Sequence, residues 1–178
     1  NAARFDIKKA TAINADWIRK LKPEELRQRM INQLITEKIL PVNPTSIQKD
    51  LVLKATPLVQ ERLEKLSQTS NMLSFLLVEE KDFVVNHEDA ESALTHENMP
   101  ALEASLKVIE NISSFKTQDL HDELNKVLVQ EMGLKPRIAF TALRVAVTGR
   151  KVSPPLFESM ELLGREKVLA RIRQQIKK

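Results

Sequence analysis

The first 132 of the 178 residues contain no glycine. Tight β-hairpins depend on residues that accept positive φ, glycine above all, so hairpin-rich structure is disfavoured over most of the chain. Gly133, Gly149 and Gly164 each follow an apolar run, where such a residue ends a helix. The apolar residues themselves recur with a helical period.

Pro23-Glu24-Glu25 reads as a first helical turn, with proline where its missing N–H costs nothing and acids favoured by the dipole. Leu26, Met30, Ile31 and Leu34 follow on one face. Leu51, Ala55, Leu58 and Val59 share another, with Pro57 expected to kink or split that helix. Leu63 and Leu66, then Met72, Leu73, Leu76 and Leu77, extend the pattern. Asn86, with Asp89 three residues later, is expected to cap a helix carrying Ala90, Ala93 and Leu94. Leu102, Leu106, Ile109 and Ile112 form the next stripe, and Thr117 is expected to cap a helix with Leu120, Leu124, Val127 and Leu128. Three stripes close the chain: Ile138, Ala142, Val145, Ala146; then Leu156, Met160, Leu163; then Val168, Leu169, Ile172, Ile176. The expectation is an all-α chain of about nine or ten helices.

Charge divides the sequence in three. Residues 1–78 carry 13 Lys and Arg against 8 Asp and Glu, residues 79–132 carry 4 against 13, and residues 133–178 carry 11 against 3. The least helical stretch before the last third, Val78 to Asn86, coincides with the first change of sign. It carries the predicted boundary between two helical subdomains, 1–80 and 81–178. Basic sections can neutralise phosphates that an acidic section repels, although three solvated helical surfaces would show the same charges. No fixed-period repeat marks a solenoid.

Other classes fall away quickly. No apolar run approaches the roughly 20 residues that span a bilayer, no signal-peptide pattern opens the chain, and a cytoplasmic location is expected. Cysteine is absent, which removes disulfides and thiolate metal sites. The chain starts Asn1-Ala2-Ala3 without methionine, and Asn1-Ala2 reads as a cloning scar ahead of an excised piece of a longer protein. His87-Glu88-Asp89-Ala90-Glu91 begins like a helical zinc motif but has Glu91 where the second histidine is required. His87, His96 and His121 are expected on the surface. The acidic pairs Glu79/Glu80 and Asp122/Glu123 lie on exposed faces that would not split their pKa values. No catalytic, cofactor-binding or metal site is predicted.

Between two apolar runs lies Thr148-Gly149-Arg150-Lys151-Val152-Ser153-Pro154-Pro155. A triphosphate loop needs a second glycine directly before the lysine and a hydroxyl after it, in a strand-to-helix setting. Arg150 and Val152 occupy those places. The segment reads instead as a turn, with Gly149 stopping one helix and Ser153-Pro154 starting the next as N-cap and first helical residue.

The run Leu143-Arg144-Val145-Ala146-Val147-Thr148-Gly149, followed by Ser153-Pro154-Pro155-Leu156-Phe157-Glu158 and Leu162-Leu163-Gly164, resembles the C-terminal end of the bacterial glutamyl-tRNA synthetases. Phe5-Asp6-Ile7-Lys8-Lys9 with Asn14-Ala15-Asp16-Trp17-Ile18-Arg19 resembles the segment after that family's catalytic core, and Pro57 with Val59-Gln60-Glu61-Arg62 resembles a family helix. The resemblance covers nearly the whole chain in order, and its 143–164 block is the most specific part.

The resemblance implies the all-α anticodon-binding region, a helical cage, of a class I aminoacyl-tRNA synthetase. Subdomain 1–80 would reach the tRNA stem and share in anticodon binding, and 81–178 would grip the anticodon loop. The partner implied is glutamate tRNA, bound by an enzyme expected to be monomeric at full length. ATP and Mg are expected in the catalytic domain, whose His-Ile-Gly-His-like and Lys-x-Ser-Lys-like signatures are absent; Lys65-Leu66-Ser67 echoes the second but lacks its second lysine. The chain alone is therefore expected not to aminoacylate. Arg62 matches the arginine that reads the third anticodon base and helps reject glutamine tRNA, and a glutamine stands there in members that charge both. Arg144 matches a base-contacting arginine, and Ser153, Pro154 and Leu156 match the loop around the other bases. Ser153 stands where some members have threonine, and Pro155 where some have glycine.

Physical chemistry is consistent with these roles. RNA readers use unstacked bases in single-stranded loops, and a guanidinium can pair with or stack on a base. Arg144 before the turn and Leu156 after it would frame a pocket for an extruded base. Phe140, Phe157 and Trp17 lie on apolar stripes and are expected in the core, leaving recognition to arginine. Read without the resemblance, Arg62 is a solvated cation on an amphipathic helix and Arg144 could pair with an acidic helix. The rival function is a helical protein-interaction module whose acidic middle docks a basic partner.

Overall fold

A computed structural model describes residues 6–177. Asn1, Ala2 and Phe5, singled out above, lie outside the described residues. Ten α-helices, with short 3₁₀ turns and one π-helical turn, make up the regular structure, and no strand occurs among the described residues. Contacts group the chain into two compact units, Asn1–Leu77 and Val78–Lys178.

The first unit holds four helices: α1 (Ile7–Lys20), α2 (Pro23–Thr36), α3 (Ser46–Val59) and α4 (Thr69–Leu77). Asp6 caps α1 by accepting from the Lys9 N–H at 3.1 Å. Thr45 and Gln48 cap α3 reciprocally, each side chain taking the other's backbone N–H. Pro23 opens α2 with Glu24 and Glu25 in its first turn, as the sequence predicts. Leu26, Met30, Ile31 and Leu34 are buried against Val52, Ala55, Val59, Leu63, Leu73 and Leu76 in the core of this unit.

Three expectations change here. The buried face of α3 is centred on Val52, Ala55, Thr56 and Val59 rather than on Leu51 and Leu58. Thr56 tolerates complete burial because its hydroxyl donates to the Val52 carbonyl at 2.7 Å, so no polar group is left unpaired. Pro57 does not split α3, which runs unbroken from Ser46 to Val59. Trp17 is 68% exposed, because α1 turns Ala15 and Ile18 inward and Trp17 projects about 100° away from Ile18 around the helix.

The second unit contains α5 (His87–Ala93), α6 (Met99–Asn111), α7 (Thr117–Asn125), α8 (Pro136–Thr148), α9 (Leu156–Leu163) and α10 (Arg165–Ile176). A π-helical turn, Lys126–Glu131, extends α7. Asn86 caps α5 as expected, accepting from the Asp89 N–H at 3.0 Å. Thr117 does not cap α7; its hydroxyl and its N–H both donate to Glu161 of α9, at 2.7 and 2.6 Å. A carboxylate from another helix thus replaces the local cap. Phe140 and Phe157 are half-buried and meet edge to face at 5.3 Å, with His121 edge-on to Phe157 at 5.2 Å.

At the centre stands α8, packed against α5, α6, α9 and α10. Its residues Ala142, Leu143, Val145, Ala146 and Val147 are all buried, so only Arg144 breaks an apolar circumference over these two turns. Helices buried on several sides are apolar all round. A cation kept in that position is therefore the feature to explain.

Candidate nucleic-acid interface

Helix α8 ends at Gly149, whose φ is +79°, and the Gly149 N–H donates to the Val145 carbonyl at 2.9 Å. A Cβ at this position would lie 2.7 Å from the Val84 carbonyl oxygen and 3.3 Å from the Phe83 ring. The segment before α5 crosses the helix end at that distance, and the Asn86 N–H donates to the Gly149 carbonyl at 2.9 Å. Glycine is required here by both backbone angle and space.

Past this stop the chain folds back on Arg144. The Arg144 Nη1 donates to the Ser153 hydroxyl and to the Pro154 carbonyl, each at 2.7 Å. The Thr148 hydroxyl lies 2.8 Å from the Arg144 carbonyl and 3.0 Å from that of Arg150. The Lys151 N–H donates to Asp89 at 2.9 Å, tying the turn to α5. Arg144 thus pairs with its own turn.

Ser153 and Pro154 do not start α9 as N-cap and first residue. The helix begins at Leu156, with Pro155 at the N-cap and no side-chain cap bond. Pro155 disfavours helical angles at the residue before it, so the double proline pushes the helix start downstream. Ser153 and Leu156 are both 3% exposed and Pro154 is buried, while Arg144 is half-buried. The fold brings Arg144 onto Ser153 and Pro154 and buries Leu156 at the start of α9 as packing.

Arg62 belongs to the first unit. It lies not on a helix but in the turn that follows α3, and it is exposed. The Arg62 N–H donates to the Val59 carbonyl at 2.8 Å, and its side chain has no hydrogen-bond or ion-pair partner among the described residues. Gln60 fixes that turn: its amide lies 3.1, 3.2 and 2.9 Å from the Ile18, Arg19 and Leu21 carbonyls at the end of α1. The sequence reading gave Gln60 no role, although a glutamine beside a helix stop can satisfy another helix's last carbonyls.

A second arginine of the second unit carries more of its structure. Arg171 on α10 is 1% exposed. Its Nε and Nη2 donate to the Glu80 carboxylate at 3.0 and 2.7 Å, and its Nη1 to the Val147 carbonyl at 2.8 Å. The guanidinium also lies 3.7 Å from the centre of the Phe83 ring. Glu80, read from sequence as a plain surface acid, therefore anchors the segment that crosses Gly149. The signal was present in the spacing, since Val168, Arg171 and Gln175 share the inward face of α10.

Elsewhere the chemistry is that of a scaffold. Thr117 and Lys116, both bonded to Glu161, hold its carboxyl below the ordinary value of 4.5. His87 and His96 are exposed. Among the described residues no three His, Asp or Glu side chains converge to hold a metal ion, and no helix is long and apolar enough to cross a membrane. The turn at 149–155 offers its polar groups to its own unit and gives no cradle for a nucleotide triphosphate. What the arrangement supports is recognition by fixed cations.

The family described as the anticodon binding domain matches residues 17–176. The glutamate–tRNA ligase of Kineococcus radiotolerans is 48% identical over 172 residues, covering 97% of this chain and 34% of that protein. The glutamate–tRNA ligase of a Nocardioides species is 46% identical over 178 residues, covering 99% of this chain and 36% of that protein. The chain thus spans about a third of the length of these relatives. Among solved structures, a glutamate tRNA ligase from Elizabethkingia meningosepticum shares the fold with a TM-score of 0.75 at 20% identity, over 99% of this chain and 33% of that one.

Proposed function

This chain belongs to the anticodon binding domain family, and from that premise we propose that it grips the anticodon loop of glutamate tRNA for a glutamate–tRNA ligase. The observation that carries the reading is the family match along almost the whole chain, joined to relatives named for that activity. The geometry supports it with two differently held arginines. Arg144 is the base reader of the second unit, aimed by the Ser153 hydroxyl and the Pro154 carbonyl, with Leu156 packing beneath this role. Arg62 reads the third anticodon base from an exposed turn. Planar guanidinium groups suit both tasks, because they pair with base edges and stack on base faces.

In this reading the first unit reaches toward the tRNA stem and meets the third anticodon base through Arg62, while the second grips the rest of the loop. ATP and magnesium are handled outside these residues, in the part of the full-length, monomeric enzyme that performs the ligation in the cytoplasm. The chain alone binds tRNA without charging it.

The test is the affinity of the chain for glutamate tRNA, for the same tRNA with each anticodon base replaced, and for glutamine tRNA. Glutamate tRNA is expected to bind at least about tenfold more tightly than the altered forms, as the loss of one good base contact implies. Arg62→Gln is expected to narrow the gap between glutamate and glutamine tRNA. Equal affinity for every tRNA would overturn the specificity, and an unchanged gap in the variant would overturn the role of Arg62.

A further inference from the structure

Beside the first two turns of α8 lies a groove of about 630 Å³ whose lining includes Asn98, Lys135, Arg137, Ile138, Thr141 and Lys151. No carboxylate lines it. Lys135 and Arg137 are exposed and have no ion-pair or hydrogen-bond partner for their side chains among the described residues. Lys151 reaches the groove from the turn, with its ammonium against the Ser92 hydroxyl. Ile138 is 46% exposed between these cations. Asn98 donates its amide to the Ala93 carbonyl at 2.9 Å, and its side-chain oxygen has no donor among the described residues.

Helix stability does not explain the cations. Lys135 is the N-cap of α8 and Arg137 lies in its first turn, which contains no acid. Positive charge at a helix N-terminus opposes the dipole. Two residues of the groove, Arg137 and Thr141, also share a helix face with Arg144. Arg137, Thr141 and Arg144 follow at spacings of four and three on one face, so Arg137 and Arg144 are separated by about 10 Å along the axis.

Resting on the tRNA reading above, we propose that this groove is a second RNA subsite, holding nucleotides adjacent to those read by Arg144. Lys135, Arg137 and Lys151 take the phosphates, and Ile138 supports a base face while Asn98 offers an acceptor to its edge. Charge complementarity with a polyanion and an apolar floor among cations fit a single-stranded nucleotide, which presents both kinds of surface.

The experiment measures binding of the glutamate tRNA anticodon stem-loop to the whole chain across a range of salt. Three proteins are compared: wild type, the double variant Lys135→Ala/Arg137→Ala, and Ile138→Ala. The double variant is expected to keep its helical circular dichroism, to lose about tenfold in affinity at low salt, and to show a log–log salt slope shallower by about 1.4, the value for two single-strand phosphate contacts. Ile138→Ala is expected to lose a few-fold in affinity with its slope unchanged, as a base contact should. Unchanged affinity and slope in both variants, with tight binding by wild type, overturns the subsite and leaves the tRNA reading standing. Absence of binding by wild type overturns both. Binding of poly-glutamate that the double variant loses, with RNA affinity unaltered, overturns the subsite in favour of an acidic protein segment.

Discussion

An arginine proposed to read the anticodon stands beside the end of α3 and another beside the end of α8, Arg62 just after the first and Arg144 in the last two turns of the second, and the two ends are built in opposite ways. After α3, Gln60 ties the turn to the carbonyls of α1, and Arg62 projects from it exposed. After α8, the arginine itself is the tie, since Arg144 holds Ser153 and Pro154 while the Val84 backbone closes over Gly149. In the first unit the proposed reading group and the supporting group are separate residues. In the second they are the same residue, so binding and stability should be coupled there and independent at Arg62.

The sharpest way to break this comparison is at Gly149. Gly149→Ala is expected to destabilise the second unit by about 2 kcal/mol or more, from left-handed backbone strain and the contact with Val84. Hydrogen exchange read peptide by peptide should show the loss in residues 78–177 and not before them. A cost near zero would mean that the crossing segment does not approach as closely as the structure shows.

Next in size is the pair of arginines. Arg144→Ala is expected to cost about 1–2 kcal/mol in urea unfolding, for the lost charge-assisted hydrogen bonds, as well as weakening tRNA binding. Arg62→Ala is expected to leave stability within about 0.5 kcal/mol and to change binding alone. Equal stability effects from the two would erase the distinction.

A smaller loss than at Arg144 is expected at Glu161, another polar tie of the second unit. Its carboxyl is held below 4.5 by the Thr117 hydroxyl and Lys116. A group with a lowered folded pKa stabilises above its unfolded value, and that contribution fades as pH falls through the folded pKa. Wild type should therefore exceed Glu161→Gln in stability by on the order of 1 kcal/mol near neutrality, given partial exposure. The difference should shrink as pH drops below about 4.5. A gap independent of pH, measured by thermal unfolding across that range, would show that the ionised form is not what Thr117 uses.

Local rules made much of the fold legible. The spacing of Leu26, Met30, Ile31 and Leu34 on α2 and the cap at Asn86 depend on neighbours within one or two turns, and both appear as the sequence predicts. Where a side chain far along the chain intervenes, the local rule fails. Thr117 loses its capping role to Glu161, 44 residues away in sequence. Ser153 is taken by Arg144, nine residues away in sequence, and the double proline after it moves the helix start to Leu156.

The candidate site divides along the same line. Arg62 and Arg144 stand out in the sequence through the motifs around them, and glycine at 149 already marks a helix stop. Composition and period determined by themselves that the chain is helical, because helix formation is decided by contacts a few residues apart. Only the tertiary structure decided that Arg171 is buried on Glu80 and Phe83, that Leu156 is packing, and that Lys135, Arg137 and Lys151 line one groove. Those facts depend on which distant residues share a space, and a desolvated charge persists only where partners from elsewhere in the chain converge on it.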